Sequence, residues 1–323
     1  MGDPSGIGPE IAIKAILSPE INRICRPVLI GDSSVLKIYL KTINAPSMLI
    51  INEVKKVSHG NFQIGFINIL DMGMILPSKL KIGKVTAESG KASLAYIEKA
   101  IDCALDGKAD AIVTGPINKE AIKKAGSKFS GHTELLAHKT KAKSHSTMFL
   151  SDAIRIALVT THIPLADVPK NIDKKRIVDI IKLADKEMTT LLGKRPKIGV
   201  AALNPHAGEN GILGTEELKI IEPAVNEAKK TGINVKGPIS ADIIFHMANI
   251  GAFDIIVSMY HDQALIPVKL LAFHKSVNFT AGLPIIRTSV DHGTAFDIAG
   301  KNYANPSSML QAIKTATLMA IKK

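Results

Sequence analysis

The sequence predicts an α/β fold with a mostly parallel sheet, arranged as two domains or as one large unit. Its 323 residues, at roughly 150 per domain, set that size. Hydrophobic residues make up 46% and charged residues 22%, a globular balance that excludes wholesale disorder. Short apolar runs alternate with helical periodicity along the whole chain, which marks βα units.

Strands are expected at 27–31, 48–52, 66–71, 111–114, 154–160, 197–203, 254–259 and 276–279, with helices between them. Pro9 is a good first helical residue for a helix over 10–17. Leu94, Ile97, Ile101 and Leu105 recur at helical spacing and form one buried stripe. Ile177, Ile180, Ala184, Met188 and Leu191 form another, with Asp173 near its start and Gly193, followed by Pro196, at its end. Neither an internal repeat nor a low-complexity linker marks a boundary, so two domains are expected to interleave. The glycine-rich run over 1–10, MGDPSGIGPE, has no strand before it, although such a turn normally joins a strand to a helix. A leading strand is therefore expected to be missing from the sequence.

Composition narrows the function. No apolar run approaches the roughly 18 residues needed to cross a bilayer, and no signal-peptide pattern opens the chain. Cys25 and Cys103 cannot build a disulfide framework or a Cys-rich zinc module, so a reducing cytoplasm is the expected compartment. Aromatics at 4% and no Trp argue against stacking platforms for single-stranded nucleic acid. The formal charge of +12 lies largely on lysines of amphipathic stretches such as 173–182 and 222–230, which read as solvated helix faces. The same field attracts phosphorylated or carboxylated ligands.

The position of the histidines carries the most chemistry. Three strands deliver His162, His206 and His261 just beyond their carboxyl ends, in TTHIP, NPHAG and YHDQ. Ligands of open α/β sheets bind outside those ends, so imidazoles 44 and 55 residues apart in the chain can converge. Three neutral nitrogens with an open position suit catalytic zinc, manganese or a similar divalent ion. There is no HExxH, so a zincin-type protease is not supported.

A fourth strand leads into Gly115-Pro116, a sharp turn toward a helix start that favours an anion, and then into Gly131-His132-Thr133-Glu134. Gly2, Gly6 and Gly8 do not spell GxGxxG, so they are read as a phosphate cradle or, more simply, as a tight structural turn. Between 278 and 297 polar residues crowd together and read as a functional loop. Within it Arg287, one of six arginines, can grip carboxylate or phosphate in bidentate fashion. Lys269 adds an ammonium eight residues after His261. Gly293-Thr294 before an expected helix would offer donors to a pyrophosphate, and Asp297 could accept ribose hydroxyls.

The segments GDPSGIGPE, VTGPINKEAI, SGHTELL, TTHIPL, LNPHAGENGILGTEE, YHDQALIPVK and VNFTAGLPIIRTSVDHGTAFDIAGK resemble the 4-hydroxythreonine-4-phosphate dehydrogenase family of vitamin B6 biosynthesis. They run in order from residue 2 to about 308. The stretch 292–306 is also similar to the adenosine-binding loop of isocitrate and isopropylmalate dehydrogenases. These likenesses imply two α/β/α domains with a cleft between them and a homodimer. The implied division is 1–128 with 283–323 for the dinucleotide, and 129–282 for metal, substrate and dimerisation. By the same likeness His162, His206 and His261 match metal ligands shared across the dimer. His132, Thr133, Lys269, Asn278 and Arg287 match substrate residues, and His292, Gly293, Thr294, Ala295 and Asp297 match the dinucleotide site.

The resemblance implies NAD-dependent oxidation of 4-phosphooxy-L-threonine at C3, aided by one divalent ion (Zn, Mg, Mn or Co), and then loss of CO₂ to give 3-amino-2-oxopropyl phosphate. Asp297 beside the ribose favours NAD⁺ over NADP⁺. The base is open between Lys269, Asp262 and a water on the metal. A sister enzyme acting on 4-phospho-D-threonate or 4-phospho-D-erythronate would keep the same motifs. A metal-dependent phosphohydrolase would leave the dinucleotide loop unexplained, and a nucleic-acid-binding module would leave the histidines unexplained. Neither nucleic acid nor membrane is an expected partner.

Overall fold

The computed structural model describes all 323 residues. The chain divides into two units, Met1–Ala142 with Leu283–Ala320, and Lys143–Gly282 with Ile321–Lys323. No helix is long and apolar enough to cross a membrane.

The first unit begins with α1 (Gly8–Ile16), α2 (Pro19–Ile24), β1 (Leu29–Gly31), α3 (Ser33–Thr42), β2 (Ile50–Glu53) and β3 (Phe66–Asp71). It continues with α4 (Ala87–Leu105), β4 (Ala111–Thr114), α5 (Lys119–Lys124) and α6 (His132–Lys139). The strands β1, β3 and β2 form a parallel sheet with β3 in the middle. Pro9 lies in the first turn of α1, where its missing N–H leaves no bond unmade. The Thr86 side chain caps α4 by accepting from the Ser89 N–H. Ile97 and Ile101 form the buried stripe of that helix, and Leu105 at its end is 47% exposed. Leu135 and Leu136 of α6 are buried with Ile97, Ile101 and Ile112. That shared core keeps α6 in the first unit, so the division falls after Ala142 rather than at 128/129.

The second unit holds β5 (Ser146–Leu150), β6 (Arg155–Leu158), α7 (Val168–Asn171), α8 (Lys174–Leu192), β7 (Ile198–Ala201) and α9 (Glu222–Lys230). Then follow β8 (Val235–Ile239), α10 (Ala241–Asn249), β9 (Ile255–Ser258), α11 (His261–Ala272) and β10 (Val277–Ala281). Its strands lie in the order β10-β5-β6-β9-β7-β8, parallel from β6 to β8 and antiparallel on both sides of β5. Every residue of β7 and β9 is buried, as expected of parallel strands covered on both faces. Asp173 caps α8 by accepting from the Arg176 N–H at 2.7 Å. Ile177, Ile180, Ala184, Met188 and Leu191 are all buried on its inner face, and Gly193 ends it.

The chain then returns through β11 (Ile286–Val290), parallel to β4 from Ile286↔Ala111 to Ser289↔Thr114, and α12 (Ser307–Lys322). The polar stretch 278–297 is therefore not one loop. It contains most of β10 and all of β11, and every residue of β11 is buried. The hydroxyls are satisfied inside the fold: Thr288 Oγ1 donates to the Ala312 carbonyl at 2.9 Å and Ser289 Oγ to the Thr114 carbonyl at 3.0 Å. Nor does a helix follow Gly293-Thr294, since turns occupy the chain until α12. Two further strands, β5 and β8, are not among those expected from the sequence. β5 follows a lysine-rich stretch, and β8 contains Gly237-Pro238, tolerable because β8 is an edge strand.

Candidate active site

The three strands that lead to the predicted metal ligands are immediate neighbours. β9 lies between β6 and β7, all parallel, with Leu158 opposite Ser258 and Val200 opposite Val257. His162 lies in the turn after β6, His261 is the first residue of α11, and His206 lies in the turn after β7. The rings of His162 and His261 are neighbours, with centroids 5.4 Å apart and planes inclined at 45°. A tetrahedral ion bonded at about 2 Å to two imidazole nitrogens holds ring centres about 5 Å apart, so this pair fits such an ion. Asp262 Oδ1 lies 2.7 Å from His261 Nδ1, an outer contact that leaves Nε2 available to a ligand. This places Asp262, one of the base candidates, against the imidazole of His261. His206 does not join them, because no three metal-ligating side chains gather within one chain.

The backbone that carries His206 has an unusual conformation. Residues His206, Ala207, Gly208, Glu209 and Asn210 are all left-handed, with φ of 50°, 53°, 78°, 44° and 54°. The buried carboxylate of Glu217 accepts N–H bonds from Leu203 at 2.8 Å and Asn204 at 2.7 Å, and the Asn204 side-chain amide at 2.9 Å. Lys269 lies further along α11, with its ammonium 5.2 Å from the centre of the Phe273 ring. Asn278 is on β10, and its Oδ1 is buried with no hydrogen-bond partner.

In the first unit β11 carries Arg287, whose Nη2 donates to Thr114 Oγ1 of β4 at 2.7 Å. Only 2% of Arg287 is exposed, and burial lowers its guanidinium to a pKa of about 9. His132 and Thr133 form the first turn of α6, whose N–H groups favour an anion. The His132 Nε2 atom is buried without a hydrogen-bond partner. Burial, and then the charge of Arg287, hold this imidazole well below the usual histidine range, so it is neutral near pH 7. A buried cation beside a neutral imidazole with an open nitrogen suits a small anionic group.

The predicted dinucleotide loop is propped by the glycine-rich segment at the chain start. Ile7 N–H donates to the Thr294 carbonyl at 2.9 Å, and a Cβ on Gly6 would come within 2.9 Å of Thr294. Glu10, fully buried, accepts the Ala304 N–H at 2.9 Å and the Lys14 ammonium at 2.7 Å, while Lys14 reaches the Ala304 carbonyl. The glycines thus serve close packing, as a tight structural turn requires. His292, Gly293 and Asp297 are exposed, Thr294 is buried, and Ala295 is left-handed with φ 40°. Thr114 and Glu217 escape notice in the sequence, because a threonine ending a strand and a glutamate in GTEE look like ordinary surface residues.

Strand-end imidazoles and a buried guanidinium are features of an α/β enzyme acting on a small anion. Comparison with known proteins sharpens that class. A family model described as pyridoxal phosphate biosynthetic protein PdxA matches residues 23–316. A 4-hydroxythreonine-4-phosphate dehydrogenase of Desulforapulum autotrophicum is 45% identical over 322 residues, covering 99% of this chain and 94% of that protein. A protein of Symbiobacterium thermophilum, provisionally named D-threonate 4-phosphate dehydrogenase, is 44% identical over 320 residues, covering 99% and 95%. The crystal structure of 4-hydroxythreonine-4-phosphate dehydrogenase from Klebsiella pneumoniae superposes with a TM-score of 0.91 at 40% identity, covering 99% and 96%. The chain belongs to the PdxA family and is accordingly an oxidoreductase.

Proposed function

We propose that this enzyme oxidises 4-phosphooxy-L-threonine at C3 with NAD⁺ and releases CO₂ from the resulting β-keto acid. The observation that supports the reading is the His162–His261 pair, with ring centroids 5.4 Å apart, a spacing that suits a shared tetrahedral ion, at the ends of adjacent parallel strands. A divalent ion there would lower the pKa of the substrate hydroxyl and draw charge from the same oxygen as CO₂ leaves. Asp262 orients His261 through Nδ1. Arg287 and Lys269 are the cations assigned to the phosphate and carboxylate. Neutral His132 bonds the same anion through Nε2, and Asn278 Oδ1 accepts from a substrate donor. The loop from His292 to Asp297 takes the dinucleotide, and the exposed Asp297 carboxylate repels a 2′-phosphate, which favours NAD⁺.

His206 completes the ligand set from a second copy of the chain. Support comes from the apolar face of α11, where Ile266, Leu270 and Phe273 recur at helical spacing and are 68%, 83% and 63% exposed. Ile212, just beyond the His206 turn, is 79% exposed as well. Burying those side chains in a homodimer explains both the exposed stripe and the distant third imidazole.

A second reading, oxidation of 4-phospho-D-threonate, is favoured by the names of relatives 43–44% identical to this chain. NADH formation with each purified substrate decides between them. Turnover of the amino acid phosphate is the expected result. Turnover of the threonate ester alone overturns the substrate assignment, and turnover of neither overturns the reaction.

A further inference from the structure

We infer that Glu217 is the positioning residue for His206, an inference that rests on the proposed metal chemistry. Left-handed backbone costs roughly 1–2 kcal/mol per non-glycine residue, so a run from His206 to Asn210 does not persist on local preference. Something distant must impose it. Glu217 is 2% exposed and no Lys, Arg or His is paired with it; its bonds go to the chain entering the turn, the Leu203 and Asn204 N–H groups and the Asn204 amide. The middle of the turn also lies against this carboxylate, because a Cβ on Gly208 would sit 2.7 Å from Glu217 Oε2. The exit is closed locally, by Leu213 N–H to the Gly208 carbonyl at 3.0 Å and Ile212 N–H to the Glu209 carbonyl at 3.2 Å.

One buried carboxylate therefore holds the entry of the turn by hydrogen bonds and lies beside its centre, and His206 is the exposed side chain displayed between them. A single π-type turn at 217–221 begins at Glu217, just before α9. Hydrogen bonds to an ionised acceptor are about twice as strong as neutral ones, which suits a carboxylate to holding strained backbone. Glutamine at 217 would keep the size but place an NH₂ against the Asn204 NH₂, which Glu216 Oε2 already holds at 2.7 Å. The imidazole would remain and its direction would be lost.

The test is Co²⁺ and Zn²⁺ binding by the full-length wild type, Glu217→Gln, Asn204→Ala and His206→Ala, followed by calorimetry and by the visible spectrum of the Co²⁺ form. Glu217→Gln is expected to weaken binding by about 10–100-fold and to alter the Co²⁺ spectrum, with unchanged circular dichroism. Asn204→Ala, which keeps both backbone bonds, is expected to move both readouts less in the same direction. A glutamate that merely stabilised the fold would lower the melting temperature and leave the spectrum of the folded protein as it was. Wild-type affinity and spectrum in Glu217→Gln overturn the inference, as they do in Asn204→Ala if Glu217→Gln does not fold. Wild-type affinity in His206→Ala, or no ion bound by the wild type, overturns the metal reading and the inference with it.

Discussion

Replacing Arg287 by methionine should make the protein more stable and inactive. The guanidinium is 2% exposed and burial brings its pKa from the ordinary arginine range down to about 9. A fall of roughly 3.5 pH units, at about 1.4 kcal/mol each, sets an upper bound near 5 kcal/mol on the cost of holding that charge inside. Methionine fills a similar volume without the charge, and losing the bond to Thr114 Oγ1 costs about 1 kcal/mol, with a like cost for each further bond of the guanidinium. Allowing for relaxation of the site around the cation, the net gain is about 1–3 kcal/mol, a rise of a few degrees in melting temperature. The sign also follows from linkage. Between pH 9 and the ordinary arginine range the unfolded state binds the proton that the folded state has shed, so wild-type stability rises with pH there. The gap between wild type and variant should be full below pH 9 and shrink above it. Differential scanning calorimetry from pH 7 to 10, with and without inorganic phosphate, measures both effects. Phosphate should stabilise the wild type and leave the variant unchanged. An Arg287→Met protein that melts below the wild type, or that still responds to phosphate, refutes the view of Arg287 as a cation held in strain for an anion.

Two other outcomes follow from the same structure. His132 is held well below the usual histidine range, so as pH falls below about 6.5 the unfolded chain gains a proton that the folded chain refuses. Stability present at pH 7.5 is lost toward pH 5, and His132→Asn should flatten that loss; equal slopes in thermal melts of the two proteins would count against a neutral, buried imidazole. Leu270→Glu, on the exposed apolar stripe of α11, should convert a dimer to a monomer in sedimentation and abolish turnover while the circular dichroism is retained. A dimer that survives this change, with Ile266→Glu added, excludes the stripe as the interface.

Much of the fold is legible because side-chain period reports burial locally. Ile177 through Leu191 mark the inner face of α8, Asp173 and Gly193 its ends, and the strands at 66–71 and 111–114 fall where apolar runs place them. The strand-end positions of the histidines were legible for the same reason, since each follows an apolar run; the pairing of β6, β9 and β7 sets their strands side by side, but only His162 and His261 come together within one chain. The polar strand β11 was not, because Thr288 and Ser289 are satisfied only by Ala312 and Thr114, carbonyls that the local sequence does not reveal.

The sequence by itself determined which groups are available: three imidazoles, one rare arginine and a polar stretch rich in donors. Tertiary structure decided their states. It sealed Arg287 and the His132 Nε2 away from water, turned the glycine-rich segment into a prop for the 292–297 loop, and bent the His206 backbone left-handed around a glutamate eleven residues on. Composition and spacing record what a residue can donate or accept. Desolvation, charge proximity and backbone direction depend on partners brought close only when the chain has folded.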